Sequence, residues 1–170
     1  ADGSRAVVGA VDHGGSLWDL RAGERRFDWN HRAGSLSALT ALAFAPDGGH
    51  AISAEGATLV LWDTAQGNAI GWFEAPAPVL AIALGPGGRL ALLGLEDGRA
   101  VLLDLRDGRI AREFRHDGPV RAVALDQEAN LVLTGSADRS ARLRPRARLR
   151  RTSPAPVSRP EQLPEPAAKT

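Results

Sequence analysis

Trp18-Asp19 returns as Trp62-Asp63, and the same slot comes round twice more as Leu103-Asp104 and Arg144-Pro145. The steps between slots are 44, 41 and 41 residues. A segment of roughly 40 residues cannot bury a core by itself, so a chain that repeats one must stack its units against each other. The residues around the slot repeat with it. An Asp stands six positions before it in three units, as Asp12, Asp97 and Asp138, with Gly56 in the remaining one. A Gly follows the slot's Asp by four at Gly23, Gly67 and Gly108, and an aromatic lies eleven past the slot at Trp29, Phe73 and Phe114.

The stretches between these markers read as strands. In the second unit the apolar run 38–44 predicts an inner strand, followed by a turn at 45–49 and strands over 50–54, 57–62 and 69–74. Pro46 presets φ for that turn and its glycines accept a positive φ. The third unit repeats the order with strands over 79–84, 89–95, 100–103 and 109–115. Two of them, 79–84 and 90–93, are nearly continuous apolar runs, which predicts strands covered on both faces. The first unit opens at the place of a turn and so lacks its inner strand. The last offers strands over 120–125, 131–136 and 140–143 and stops where its Trp-Asp is due, giving 3, 4, 4 and 3 strands.

The expected fold is therefore all-β: a β-propeller of four-stranded antiparallel blades in an incomplete ring, an open arc. The propeller portion covers 1–143, with blades at about 1–31, 32–75, 76–115 and 116–143. Residues 144–170 read as a disordered Arg/Pro-rich tail, since six of the 11 prolines fall there. The pattern breaks inside a strand, so a shifted reading frame is the expected origin of this tail, a natural tail being the alternative. The 170 residues do not begin with Met, and the arc is expected to be a fragment of a longer propeller. Of 21 basic residues only Lys169 is lysine, which suggests a GC-rich bacterial gene.

Composition removes several functions. There is no Cys, which excludes disulfides, thiolate metal sites and a cysteine nucleophile. No window reaches the ~18 consecutive apolar residues of a membrane helix. The formal net charge of +1 hides an asymmetry: residues 144–170 carry seven basic and two acidic groups, leaving the remainder of the chain acidic.

Over positions 1–143 the chain resembles the WD-repeat β-propeller family, most clearly at Gly135-Ser136-Ala137-Asp138-Arg139-Ser140-Ala141-Arg142-Leu143 and Leu61-Trp62-Asp63. The resemblance implies a buried network in each blade linking a His before the inner strand, a Ser or Thr on the second strand, the turn Asp, and the Trp. Carried onto this chain, the fourth unit supplies His116, Ser136 or Thr134, and Asp138, with Arg144 in place of Trp. The first supplies Asp12 and Trp18; the second His31 and Trp62, with Gly56 for Asp; the third Asp97 and Leu103 and no His. No unit is complete. Asp19, Asp63 and Asp104 complete the structural repeat positions. The family also implies a non-catalytic protein-interaction scaffold whose partners are other proteins.

Candidate chemistry is sparse. His13, His31, His50 and His116 show no metal-ligand spacing, so no metal site is expected. His116-Asp117 with Ser136 suggests a Ser/His/Asp triad only in composition, because no Gly-x-Ser-x-Gly elbow accompanies it. The Gly-rich pieces lie between two strands and not before a helix, so they read as hairpin turns and not phosphate cradles. Trp18, Trp29, Trp62 and Trp72 read as core. No cofactor and no catalytic residue is expected. Two alternatives remain open: a quinoprotein-like cofactor-binding or enzymatic propeller, and nucleic-acid or anionic-membrane association through the basic run 142–151. The compartment is left open between bacterial cytoplasm and an envelope-anchored location.

Overall fold

The computed structural model describes residues 3–10, 14–31 and 38–146. The first sheet contains β1 (Arg5–Ala10), β2 (Gly14–Asp19) and β3 (Glu24–Trp29). The second contains β4 (Ala41–Phe44), β5 (His50–Glu55), β6 (Thr58–Asp63) and β7 (Ala69–Glu74). The third contains β8 (Val79–Leu84), β9 (Leu90–Leu95), β10 (Arg99–Asp104) and β11 (Arg109–Arg115). The fourth contains β12 (Val120–Leu125), β13 (Leu131–Ser136) and β14 (Ala141–Pro145). Each sheet is an antiparallel meander in chain order. The expected 3, 4, 4 and 3 strands are all present, and no sheet closes on itself.

The slot is a structural landmark as well as a sequence one. The pairing register slips between Leu17 and Trp18, between Leu61 and Trp62, and between Leu102 and Leu103. Each is a bulge against the outer strand, and each re-aims the slot residue at one place in its sheet. The sheets stack in order, with β4 beside β8, β8 beside β12, and β1 beside β4. That is an open arc of propeller blades.

Three apolar layers hold the stack. Leu17 and Trp29 of the first sheet share a cluster with Ala51, Val60 and Trp62 of the second. Ile52, Leu59, Leu61 and Phe73 of the second pack with Ala91, Leu93, Val101 and Leu103 of the third. Leu92, Leu102 and Phe114 of the third meet Val120 and Val132 of the fourth. Phe73 and Phe114 are buried like Trp29, which accounts for the aromatic column at eleven past the slot. A fully buried side chain of this kind stabilises by about 1.5–3 kcal/mol relative to exposure.

Some expectations need correction. All of β9 is buried as predicted, but in β8 only Val79 and Leu84 are, and the four residues between are half-covered. An inner strand of an open arc has no blade opposite it across the axis, so an apolar sequence does not guarantee cover on both faces. The strand expected over 38–44 begins at Ala41, after a bond from the Thr40 N–H to the Ala54 carbonyl at 2.8 Å. The strand expected to end at Leu143 continues to Pro145, with Arg144 opposite Val132 and Pro145 opposite Leu131. Pro is tolerated there because β14 is an edge strand and owes no N–H to an outer neighbour. Arg144 and Pro145, expected in the 144–170 tail, thus belong to β14, and the Arg146 N–H still bonds the Asn130 carbonyl at 2.7 Å; residues 147–170 lie outside the described residues.

Candidate functional site

The side chains with hydrogen-bonding chemistry lie in the turns at the two loop edges of the blades and in the body of the second sheet. One end holds the Asp of each slot. Asp63 Oδ1 accepts from the main-chain N–H groups of Ala65 at 2.7 Å and Gln66 at 3.0 Å. Asp19 Oδ1 accepts likewise from Arg21 at 3.0 Å and Ala22 at 3.1 Å. Asp104 accepts from the Arg106 N–H at 3.1 Å and from its guanidinium at 2.8 Å. These are Asx turns, which the side chain closes in place of a backbone bond. Each turn ends in the glycine column with φ of 68° at Gly23, 76° at Gly67 and 69° at Gly108. An N–H donated to the charged carboxylate favours ionisation. Asp19 is held below the usual carboxylate range first by the Ala22 N–H, Asp63 by that of Gln66, and Asp104 by the Arg106 guanidinium.

The body of the second sheet carries the first buried network. Ser53 Oγ accepts from Trp62 Nε1–H at 2.8 Å and bonds His31 Nε2 at 2.7 Å. Ser53 reaches both because Ser53 and Val60 pair across β5 and β6, which puts Ser53 on the face of Trp62. Trp62 in turn stacks on Trp29 of the first sheet with centroids 5.1 Å apart and an interplanar angle of 13°. Trp29 Nε1–H donates to the Gly67 carbonyl at 3.1 Å. Where the other units have Asp, this one has Gly56, and Glu55 Oε2 lies 3.8 Å from His31 Nδ1.

In the fourth sheet His116 Nε2 bonds Thr134 Oγ1 at 2.8 Å and its Nδ1 bonds Ser140 Oγ at 3.0 Å. Asp138 Oδ2 lies 3.4 Å from that Nδ1 and accepts from the Asp117 N–H at 3.0 Å, while Oδ1 accepts from the Ser140 N–H at 2.8 Å. The Ser140 hydroxyl leads the contacts that hold the Asp138 carboxyl far below its ordinary range. Of the two hydroxyls left open by the sequence, Thr134 is the partner. Ser136 pairs with Val120 of β12 but lies beyond the ladder with β14, and it donates to the Gly118 carbonyl at 2.7 Å. The residues of the suggested triad are thus not aligned: the nucleophile candidate does not bond the base, as nucleophilic activation requires. The hydroxyls that do are those of Thr134, which is buried, and Ser140, which is half-buried and sits in the turn with Asp138.

The third sheet dispenses with the network. Leu93 pairs with Val101 as Ser53 pairs with Val60, Leu103 fills the slot, and Ala75 stands at the His position; all three are buried. Replacing every partner by an apolar group leaves no buried donor unmade, and this is nearly neutral energetically. Asp97 bonds Arg99 instead, through Nε at 2.7 Å, and Arg99 reaches the Pro76 carbonyl at 3.4 Å. That guanidinium ties the turn after β9 to the loop after β11's counterpart β7, as His116 and Asp138 do one blade on.

Trp18 occupies its slot half-buried and donates Nε1–H to Ser16 Oγ at 2.9 Å on its own strand. Trp72 is also half-buried, edge-on to His31 at 6.3 Å. Asp12 and His13 lie outside the described residues. Ser53, Ser140 and Arg99 were not singled out by sequence reasoning. For Ser53 a signal existed: it alternates with Ala51 on the face of β5 that pairs toward the slot. Among the described residues no three His, Asp or Glu side chains are placed to hold a metal ion, and no helix is long and apolar enough to cross a membrane.

Residues 108–144 match the family model described as WD domain, G-beta repeat. The chain resembles WD-repeat propellers. The matched segment runs from the last strand of the third sheet to Arg144, so it contains His116, Thr134 and Asp138 and takes its outer strand from the preceding blade. No curated protein matches the chain. WD repeats in general serve as non-catalytic protein-interaction modules.

Proposed function

We propose that this chain is a non-catalytic scaffold that docks other proteins on the loops at the His116–Asp138 end of its blades. What supports the reading is the employment of its reactive side chains. His31 with Ser53 and His116 with Thr134 form two buried, hydrogen-bonded pairs, so these side chains are spent on bracing the loops. Around them Glu96, Asp97, Asp117, Ala137 and Arg139 stand exposed on short connections. Loops of this kind vary without disturbing the sheets that hold them. A docking surface needs such a rigid frame, since ordering mobile side chains costs about 0.5–1.5 kcal/mol each on binding.

The test introduces arginines at the two ends. Asp117→Arg with Glu96→Arg changes the proposed face, and Glu128→Arg with Gln66→Arg changes the opposite one. With a partner identified by co-purification, the first pair is expected to weaken binding at least tenfold and the second to leave it within twofold. Equal effects, or substrate turnover by the purified chain, would overturn the reading.

A further inference from the structure

The outer face of the fourth sheet is apolar and uncovered. Leu131, Leu133 and Leu143 are 42%, 43% and 64% exposed. They share that face because Leu133 pairs with Leu143 and with Ala124, and Leu131 with Pro145. Ala122 and Ala124 beside them are exposed too. The residues 41 positions earlier are Leu90, Leu92 and Leu102, and these are 8%, 0% and 1% exposed. Their cover is the facing side of the fourth sheet, through Val120 and Val132. The fourth sheet therefore repeats, residue for residue, a surface that in the third is the heart of a blade interface.

The other end of the chain carries the complementary side. In the second sheet the surface turned back toward its predecessor is made by Ala51, Ser53, Val60 and Trp62. The matching positions in the first sheet are Ala6, Val8, Ser16 and Trp18, paired in the same register. Val8 is 50% exposed and Trp18 half-buried. Residues 3–146 thus present both halves of a blade-to-blade contact, on opposite ends, and no sheet among the described residues lies on either.

We propose that a second copy of this chain docks head to tail, the fourth sheet of each copy against the first sheet of the other. Two different surfaces meeting in this way form a heterologous contact, which closes into a ring or runs on as a filament. Two copies of residues 1–170 supply eight of the described sheets, within the usual range of about 4–8 blades, and three copies exceed it. The assembly is a closed dimer. Its junctions rest on the middle strands, with β13 and β14 of one copy against β1 and β2 of the other. Closure also removes the exposed apolar face that would otherwise invite disordered aggregation.

Substitutions on the two surfaces distinguish this arrangement from any other. Leu133→Arg places a charge on one surface, Val8→Arg on the opposite one, and both sites are exposed, so folding checked by circular dichroism is expected to persist. By sedimentation or light scattering the full chain is expected at twice its mass, and each variant at monomer mass. Mixing the two variants equally joins the intact surface of one to the intact surface of the other, and restores a dimer with one junction, weaker than the parent. A parent chain that stays monomeric overturns the proposal. So does a Val8→Arg chain that still associates, which indicates like surfaces meeting, or a mixture that remains monomeric.

Discussion

Removing the Ser53 hydroxyl tests whether the buried network is held as a unit. Ser53, His31 and Trp62 are 1%, 3% and 5% exposed, so water does not replace a lost partner without opening the sheet. Ser53→Ala takes from Trp62 Nε1–H its acceptor at 2.8 Å and from His31 Nε2 its partner at 2.7 Å. An orphaned buried polar group costs about 1–3 kcal/mol, so the single change is expected to cost about 2–4 kcal/mol. Trp62→Phe keeps a ring against Trp29 and removes the donor, at about 1–2 kcal/mol for the bond and the lost volume. In the double variant the indole N–H is gone, and only the bond between His31 Nε2 and the Ser53 hydroxyl remains lost. The double cost should fall short of the sum by about 1–2 kcal/mol. Urea unfolding followed by circular dichroism gives the four stabilities, at one fixed protein concentration because self-association shifts apparent stability. Additivity of the two costs would refute the network. The third sheet already carries the apolar solution in Ala75, Leu93 and Leu103, which is why relief in the double variant is expected.

Three further outcomes follow from the geometry. Gly67→Ala should destabilise more than Gly23→Ala in thermal unfolding. Both have a left-handed φ, costing an L-residue about 1–2 kcal/mol, but a Cβ at Gly67 overlaps the Phe27 ring while Gly23 faces open space; equal losses would contradict the packing of the first sheet on the second. Arg139 adopts a φ of 69° in an exposed turn, so Arg139→Gly should raise stability by about 0.5–1 kcal/mol, and a loss would show that its side chain makes a contact that matters. The carboxyls of Asp19, Asp63, Asp104 and Asp138 are all depressed in the fold. Their contribution is fully present above the unfolded value of about 3.9 and is lost as pH falls through the folded values. The urea midpoint should therefore drop steadily as pH falls below about 4, and a midpoint that rises on acidification through that range would refute the sign.

What the sequence made legible was local or periodic. The glycine column announced left-handed turns because only that residue enters them without strain, and Gly23, Gly67 and Gly108 do. The aromatic column announced a buried row, since Trp29, Phe73 and Phe114 are each buried in the apolar cluster shared with the next sheet. The network partners depended on register, which a single strand does not reveal. Thr134 and Ser136 share one face of β13, and only the end of the ladder with β14 decides that Thr134 meets His116 while Ser136 belongs to the turn. Ser140 was hidden for the same reason: it acts from the turn, at the distance set by the Asp138 loop. The half-covered β8 was illegible because cover on its second face comes from the shape of the assembly and not from its own residues.

The central claim is that these sheets stack face to face in chain order, and the Trp29–Trp62 pair reports on it directly. Rings stacked at 5.1 Å in neighbouring sheets couple their transitions, so the far-ultraviolet circular dichroism should show an exciton couplet. The couplet is predicted to vanish in Trp29→Phe and in Trp62→Phe alike, and to survive in Trp18→Phe and Trp72→Phe. A spectrum to which the four tryptophans contribute independently, each substitution removing a similar share, would contradict the stacked arrangement.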